Sequence, residues 1–190
     1  MANNIVETIQ KKLGYPALQK IDPNSQEIKE KTLRPANEKL AQAAIPAVLT
    51  ALHKFTRTDE DCKIIISKGD HDGWLKTLFE DEEQVAMDKV ARYAGVTRDE
   101  AESAMKKIAD ESVATLKNSV GTPVTVGGIR TFMDFQRHNI LSYLPAALQM
   151  GDILKDETLD DRTNKMEGPV SNFLHKVENI LSKGDESKYP

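Results

Sequence analysis

Apolar residues recur along this chain at intervals of three and four, the spacing that lines one face of an α-helix. The breaks between those runs carry glycine, proline or a capping side chain. Ile5, Ile9 and Leu13 form the first stripe, with Asn3 or Asn4 as cap and Gly14-Tyr15-Pro16 as exit. Ala17 to Ile21 can add a turn, and Asp22-Pro23-Asn24-Ser25 is a loop that starts a helix from Ser25 to Leu33, bounded by Pro35. Between Ala36 and Phe55 the stripe Leu40, Ala44, Val48, Leu52 and Phe55 is widened by Ala41, Ile45, Leu49 and Ala51. A helix apolar nearly all round belongs at the centre of a fold.

Thr58 followed by Asp59, Glu60 and Asp61 predicts a helix start, and Lys68-Gly69 its end. The β-branched run Ile64-Ile65-Ile66 would also suit a strand, but the cap and the early acids favour helix. Asp70 to Gly73 reads as a turn, Trp74 to Phe79 as a short amphipathic helix, and Asp81 to Ala94 as another ended by Gly95. Thr97 and Glu100 make a capping box for the clearest helix, whose inner face runs from Ala101 through Met105, Ile108 and Leu116 to Val120. Gly121 to Gly128 reads as a break and Ile129 to Met150 as helix, with Pro145 interrupting it or starting a fresh segment. Residues 156–168 form a polar connector. From Pro169, Val170, Phe173, Leu174, Val177, Ile180 and Leu181 make a terminal amphipathic stripe, ahead of a tail at 185–190.

One phrase occurs twice, Ile45-Pro46-Ala47-Val48-Leu49 and Leu144-Pro145-Ala146-Ala147-Leu148, each late in a helical pattern. The expected architecture is therefore an all-α domain of about seven to nine helices over residues 1–155, with two loosely similar halves, followed by the connector and a helix at 169–184. Three phrases carry a resemblance to a known family: Leu13-Gly14-Tyr15, Ala94-Gly95-Val96-Thr97-Arg98-Asp99-Glu100-Ala101, and the repeated Pro-Ala segment. Together they resemble the YidB-like bacterial family of unknown function, DUF937, over roughly residues 5 to 155. The resemblance implies a helical fold and brings neither an established activity nor site residues.

Composition narrows the function. Charged residues make up 29 %, aromatics only 5 %, and the formal net charge is −4. That balance disfavours non-specific binding to nucleic acid or to an acidic membrane. Cys62 stands alone, so no internal disulfide forms, which fits a reducing, cytoplasmic setting. The first thirty residues hold no long apolar run, and no stretch of about 20 apolar residues exists, so neither a signal peptide nor a membrane-spanning helix is expected.

Catalytic chemistry leaves little trace. The histidines are His53, His71, His138 and His175. The residues three before them are Thr50, Lys68, Phe135 and Asn172, so the Glu-x-x-His pairs of a di-iron bundle are missing. There is no His-Glu-x-x-His, no Cys-x-x-Cys, no nucleophile elbow and no phosphate loop. The densest polar constellation is Asp70-His71-Asp72-Gly73-Trp74, a candidate ligand or metal turn that also reads as a cap for the Trp74 helix. Asp134 and His138, four apart, can share a metal or a proton, or simply make a surface charge contact. The Val126-Gly127-Gly128-Ile129 turn can present backbone N–H groups to an anion, or act as a hinge. Cys62, with no base nearby in sequence, reads as a packing residue. No cofactor is indicated. The reading favoured by these patterns is a non-enzymatic interaction or scaffolding protein that binds a protein partner or itself, with the terminal helix (Val170, Phe173, Leu174, Val177, Leu181) as an interaction surface. The alternative is a small metal- or ligand-binding protein or enzyme built on Asp70, His71 and Asp72.

Overall fold

The computed structural model describes residues 4–22, 35–69, 73–156 and 158. Its elements are helical. They comprise α1 (Ile5–Lys12), α2 (Ala36–Phe55), α3 (Asp59–Ser67), α4 (Trp74–Phe79), α5 (Glu83–Ala94), α6 (Arg98–Ser119), α7 (Val126–Leu141) and a single turn, α8 (Met150–Ile153). Short 3-10 turns lie at Glu80–Glu82 and Ala146–Leu148. The Ser25–Leu33 helix, the Asp70-His71-Asp72 turn and the terminal stripe from Val170 to Leu181 lie outside the described residues.

The all-α expectation holds, and the reason is visible in α2. Fifteen of its twenty residues are buried, so it has no solvent face and must be wrapped on all sides. α1, α4, α5, α6 and α7 do the wrapping, and α6 forms the second long strut, touching each of those helices as well. Ala43, Ala44, Ala47 and Ala51 are fully buried, and such small side chains let the neighbouring helices approach closely. Pro46 sits inside α2 and removes one N–H from its ladder, while the Thr50 hydroxyl donates to the Pro46 carbonyl at 2.7 Å.

Helix starts follow side-chain chemistry. Asn4 accepts from the Val6 N–H, Thr58 from Asp61, and Thr97 and Glu100 form the reciprocal box. Two segments differ from the sequence expectation. The helix expected from Asp81 begins at Glu83, because Glu80 takes φ +50 and the next residues tighten into a 3-10 turn. The helix expected over Ile129–Met150 instead spans Val126–Leu141. It starts early because Thr125 caps it, accepting from the Gly128 N–H. It ends early because the Ser142 hydroxyl turns back onto the His138 and Asn139 carbonyls and Pro145 disfavours helical geometry at Leu144. The two Pro-Ala phrases therefore take different forms: Pro46 lies within a helix, whereas Pro145 precedes a 3-10 turn. Ala17 to Lys20 is not helical; the Ile21 N–H donates to the Ser142 carbonyl at 2.8 Å.

Candidate functional site

The residues singled out by spacing do not converge. Asp134 and His138 share the outer side of α7 and both are exposed. Trp74 is fully buried. Its indole N–H donates to the Gly69 carbonyl at 2.8 Å, Lys68 lies 4.7 Å from its ring centroid, and its backbone N–H donates to the Asp110 carboxylate. Trp74 is thus a core anchor with its one side-chain donor satisfied. Cys62 is buried, its thiol donates to the Thr56 carbonyl, and burial pushes its pKa up, which makes it a packing residue rather than a nucleophile. At the Val126-Gly127-Gly128-Ile129 turn the Gly128 N–H is held by the Thr125 cap. Among the described residues no three His, Cys, Asp or Glu side chains are placed to hold a metal ion.

A different cluster forms where the end of α2 meets α7. The last turns of α2 project Thr50 and His53 toward a recess whose other walls are Arg137, Ile140 and Leu141 of α7. His53 is 4 % exposed, and neither of its ring nitrogens has a hydrogen-bond partner. Other buried polar residues do have partners. The Gln42 amide bonds both backbone groups of Gln19 and the Tyr143 carbonyl, and Gln136 accepts the Ile5 N–H at 3.0 Å. A buried imidazole without partners is therefore the exception in this core.

Charged groups stand around it. Arg57, one turn after His53, pairs with the buried Asp156 carboxylate and donates to the Thr158 hydroxyl at 3.2 Å. Arg137 donates to the Thr158 carbonyl at 2.9 Å. Asp156 also accepts the Thr158 N–H and hydroxyl, at 3.0 and 2.7 Å. The chain leaving α8 is thereby strapped across the ends of α2 and α7. Burial tends to raise the Asp156 carboxyl, but the Thr158 hydrogen bonds and the Arg57 charge outweigh it and hold the pKa below the usual range. Burial depresses His53, and Arg57 and Arg137 depress it further, against the weaker opposing pull of Asp134 and Asp156. The result is a neutral, desolvated imidazole in a net positive field.

His53, Arg57, Arg137 and Asp156 were not legible as a group from spacing. The local hint was a histidine inside the most apolar helix with an arginine four residues on, the same helix face. The other half of the cluster comes from the distant part of the chain. Comparison with known proteins found no matching family model, no matching curated protein and no matching solved structure.

Proposed function

We propose that this protein is a non-enzymatic interaction or scaffolding protein of the cytoplasm that associates with a second copy of itself. The observation that carries this reading is Phe135, a large aromatic side chain left 71 % exposed on the outer side of α7, although the helical core has closed behind it. Aromatic side chains are enriched at protein interfaces, and a two-fold contact would bury the same ring from both copies. Ile64, Ile66 and Val85 add further exposed apolar surface on α3 and α5. The formal charge of −4 favours a protein partner over nucleic acid, and among the described residues no helix is long and apolar enough to cross a membrane. A lone buried thiol is at ease in a reducing compartment. We include in the proposal the grouping with the YidB-like bacterial proteins, which rests on the three phrases quoted above and supplies no activity.

Sedimentation equilibrium tests the proposal on three chains: full length, Phe135→Ser, and a truncation lacking 169–190. The expected result is a concentration-dependent mass above the monomer for the full chain, lowered by Phe135→Ser. Loss in the truncated chain alone would move the contact to the terminal stripe. A full-length chain that stays monomeric at every concentration overturns self-association.

A further inference from the structure

We propose that the recess between α2 and α7 binds a small organic carboxylate, its head group held between His53 and Arg137 and its short aliphatic part against Ile140 and Leu141. This goes beyond self-association and does not depend on it. The recess is lined by Thr50, His53, Arg137, Ile140 and Leu141. His53 is more than nine-tenths buried, with both ring nitrogens lacking a partner, and it is the only ionisable side chain with orphaned atoms among the described residues. An imidazolium has two N–H donors and no acceptor, so the ligand that completes it must bring acceptor oxygens.

The sign of the ligand follows from the groups facing the imidazole. Arg57 approaches from the end of α2, Arg137 and Asp134 from α7, and Asp156 from the chain after α8. The two guanidiniums outweigh the two carboxylates. A cation would be repelled there, and an oxyanion would be drawn in. The same corner already holds one carboxylate, that of Asp156 against Arg57. Arg137 has so far only the Thr158 carbonyl as its acceptor among the described residues. Its exposed side chain can swing outward to admit a ligand and return as a lid. The apolar wall of Ile140 and Leu141 selects an anion carrying a hydrocarbon stub over a bare inorganic one.

Binding is coupled to a proton. The carboxylate stabilises the charged imidazole that the empty pocket disfavours, so affinity rises as pH falls through the histidine range.

The experiment uses the full chain and butanoate as probe, with butanol and inorganic phosphate as comparisons. It follows the His53 ring protons by NMR and the affinity by calorimetry. The expected result is a saturable His53 shift with butanoate and none with butanol. Affinity should be at least about tenfold stronger at about pH 6 than at about pH 8. Arg137→Gln, a change at an exposed residue, should weaken it by about tenfold or more. Leu141→Trp, which fills the recess and leaves every charge in place, should abolish it; circular dichroism verifies folding, and Arg137→Gln with the pH profile decides the matter if that variant does not fold. No saturable shift with butanoate, equal binding of butanol, preference for phosphate, or affinity indifferent to both Arg137→Gln and pH would each overturn the proposal.

Discussion

A neutral imidazole sealed beside two guanidiniums resists protonation, and that resistance ties stability to pH. The ordinary histidine value is 6.5, and the folded His53 lies below it. Above the ordinary value His53 is neutral in both the folded and unfolded chain and contributes no pH dependence. As pH falls below it the unfolded chain takes up the proton first, so the folded state loses stability, and the loss continues until pH passes the lower folded value. His53→Leu removes the titration together with two unpartnered polar atoms. It should raise stability by about 1–3 kcal/mol at mildly acidic pH, with a smaller gain at pH above the histidine range. Urea unfolding of both chains in carboxylate-free buffer across that range measures the difference, and parallel pH profiles would count against the buried imidazole as the source. Gln136 makes the contrasting case. Its side-chain oxygen satisfies the first N–H of α1, so Gln136→Leu strands a buried donor and should lower stability by about 1–3 kcal/mol at every pH.

At the scale of elements, α2 and α6 test two different sources of helical order. In α2 the fully buried alanines set how closely its neighbours approach, so Ala47→Leu forces extra volume into a filled space and should destabilise by about 1–3 kcal/mol. In α6 the capping box is exposed and purely local, so Thr97→Ala should cost about 1 kcal/mol, seen as a lower urea midpoint with an unchanged slope. Both features were readable in the sequence for the same reason: a helix stripe and a cap depend on residues a few positions apart. The start of α7 was not, because Gly127 and Gly128 resemble a break. In the fold, Thr125 captures the Gly128 N–H, and a Cβ added to Gly128 would lie only 3.1 Å from that same hydroxyl. The repeated Pro-Ala phrase was misleading for the complementary reason. Identical local residues give a helix where five neighbours enclose them, as at Pro46, and a broken turn at Pro145. The candidate site shows the limit most clearly. Asp134 and His138 have suggestive spacing and both face solvent, whereas His53 meets Arg137 and Asp156 only because α2, α7 and the chain after α8 pack together.

For the whole molecule, the arrangement around α2 makes a statement about cooperativity. Every long helix but α3 leans on α2, so α2 cannot lose its hydrogen bonds while the rest stands. α3 packs on α7, joined at the surface by the Arg130–Asp59 pair, and α8 is one turn resting on α5. Local opening should therefore begin at the ends of the chain's path and leave the centre untouched. Native-state hydrogen exchange reads this directly. The amides from Ala47 to Leu52 should exchange only by global unfolding, with an opening free energy equal to that from urea unfolding of the same protein. The amides of Met150 to Ile153 should open with a distinctly smaller free energy, since only the Asp156–Arg57 pair and the Thr158 contacts strap that segment down. Asp156→Ala should then speed exchange at α8 and leave the α2 amides tracking the global value. If α2 amides exchanged through a route cheaper than global unfolding, the central helix would be separable from its neighbours, and burial of its whole circumference would no longer explain why this chain folds as one unit.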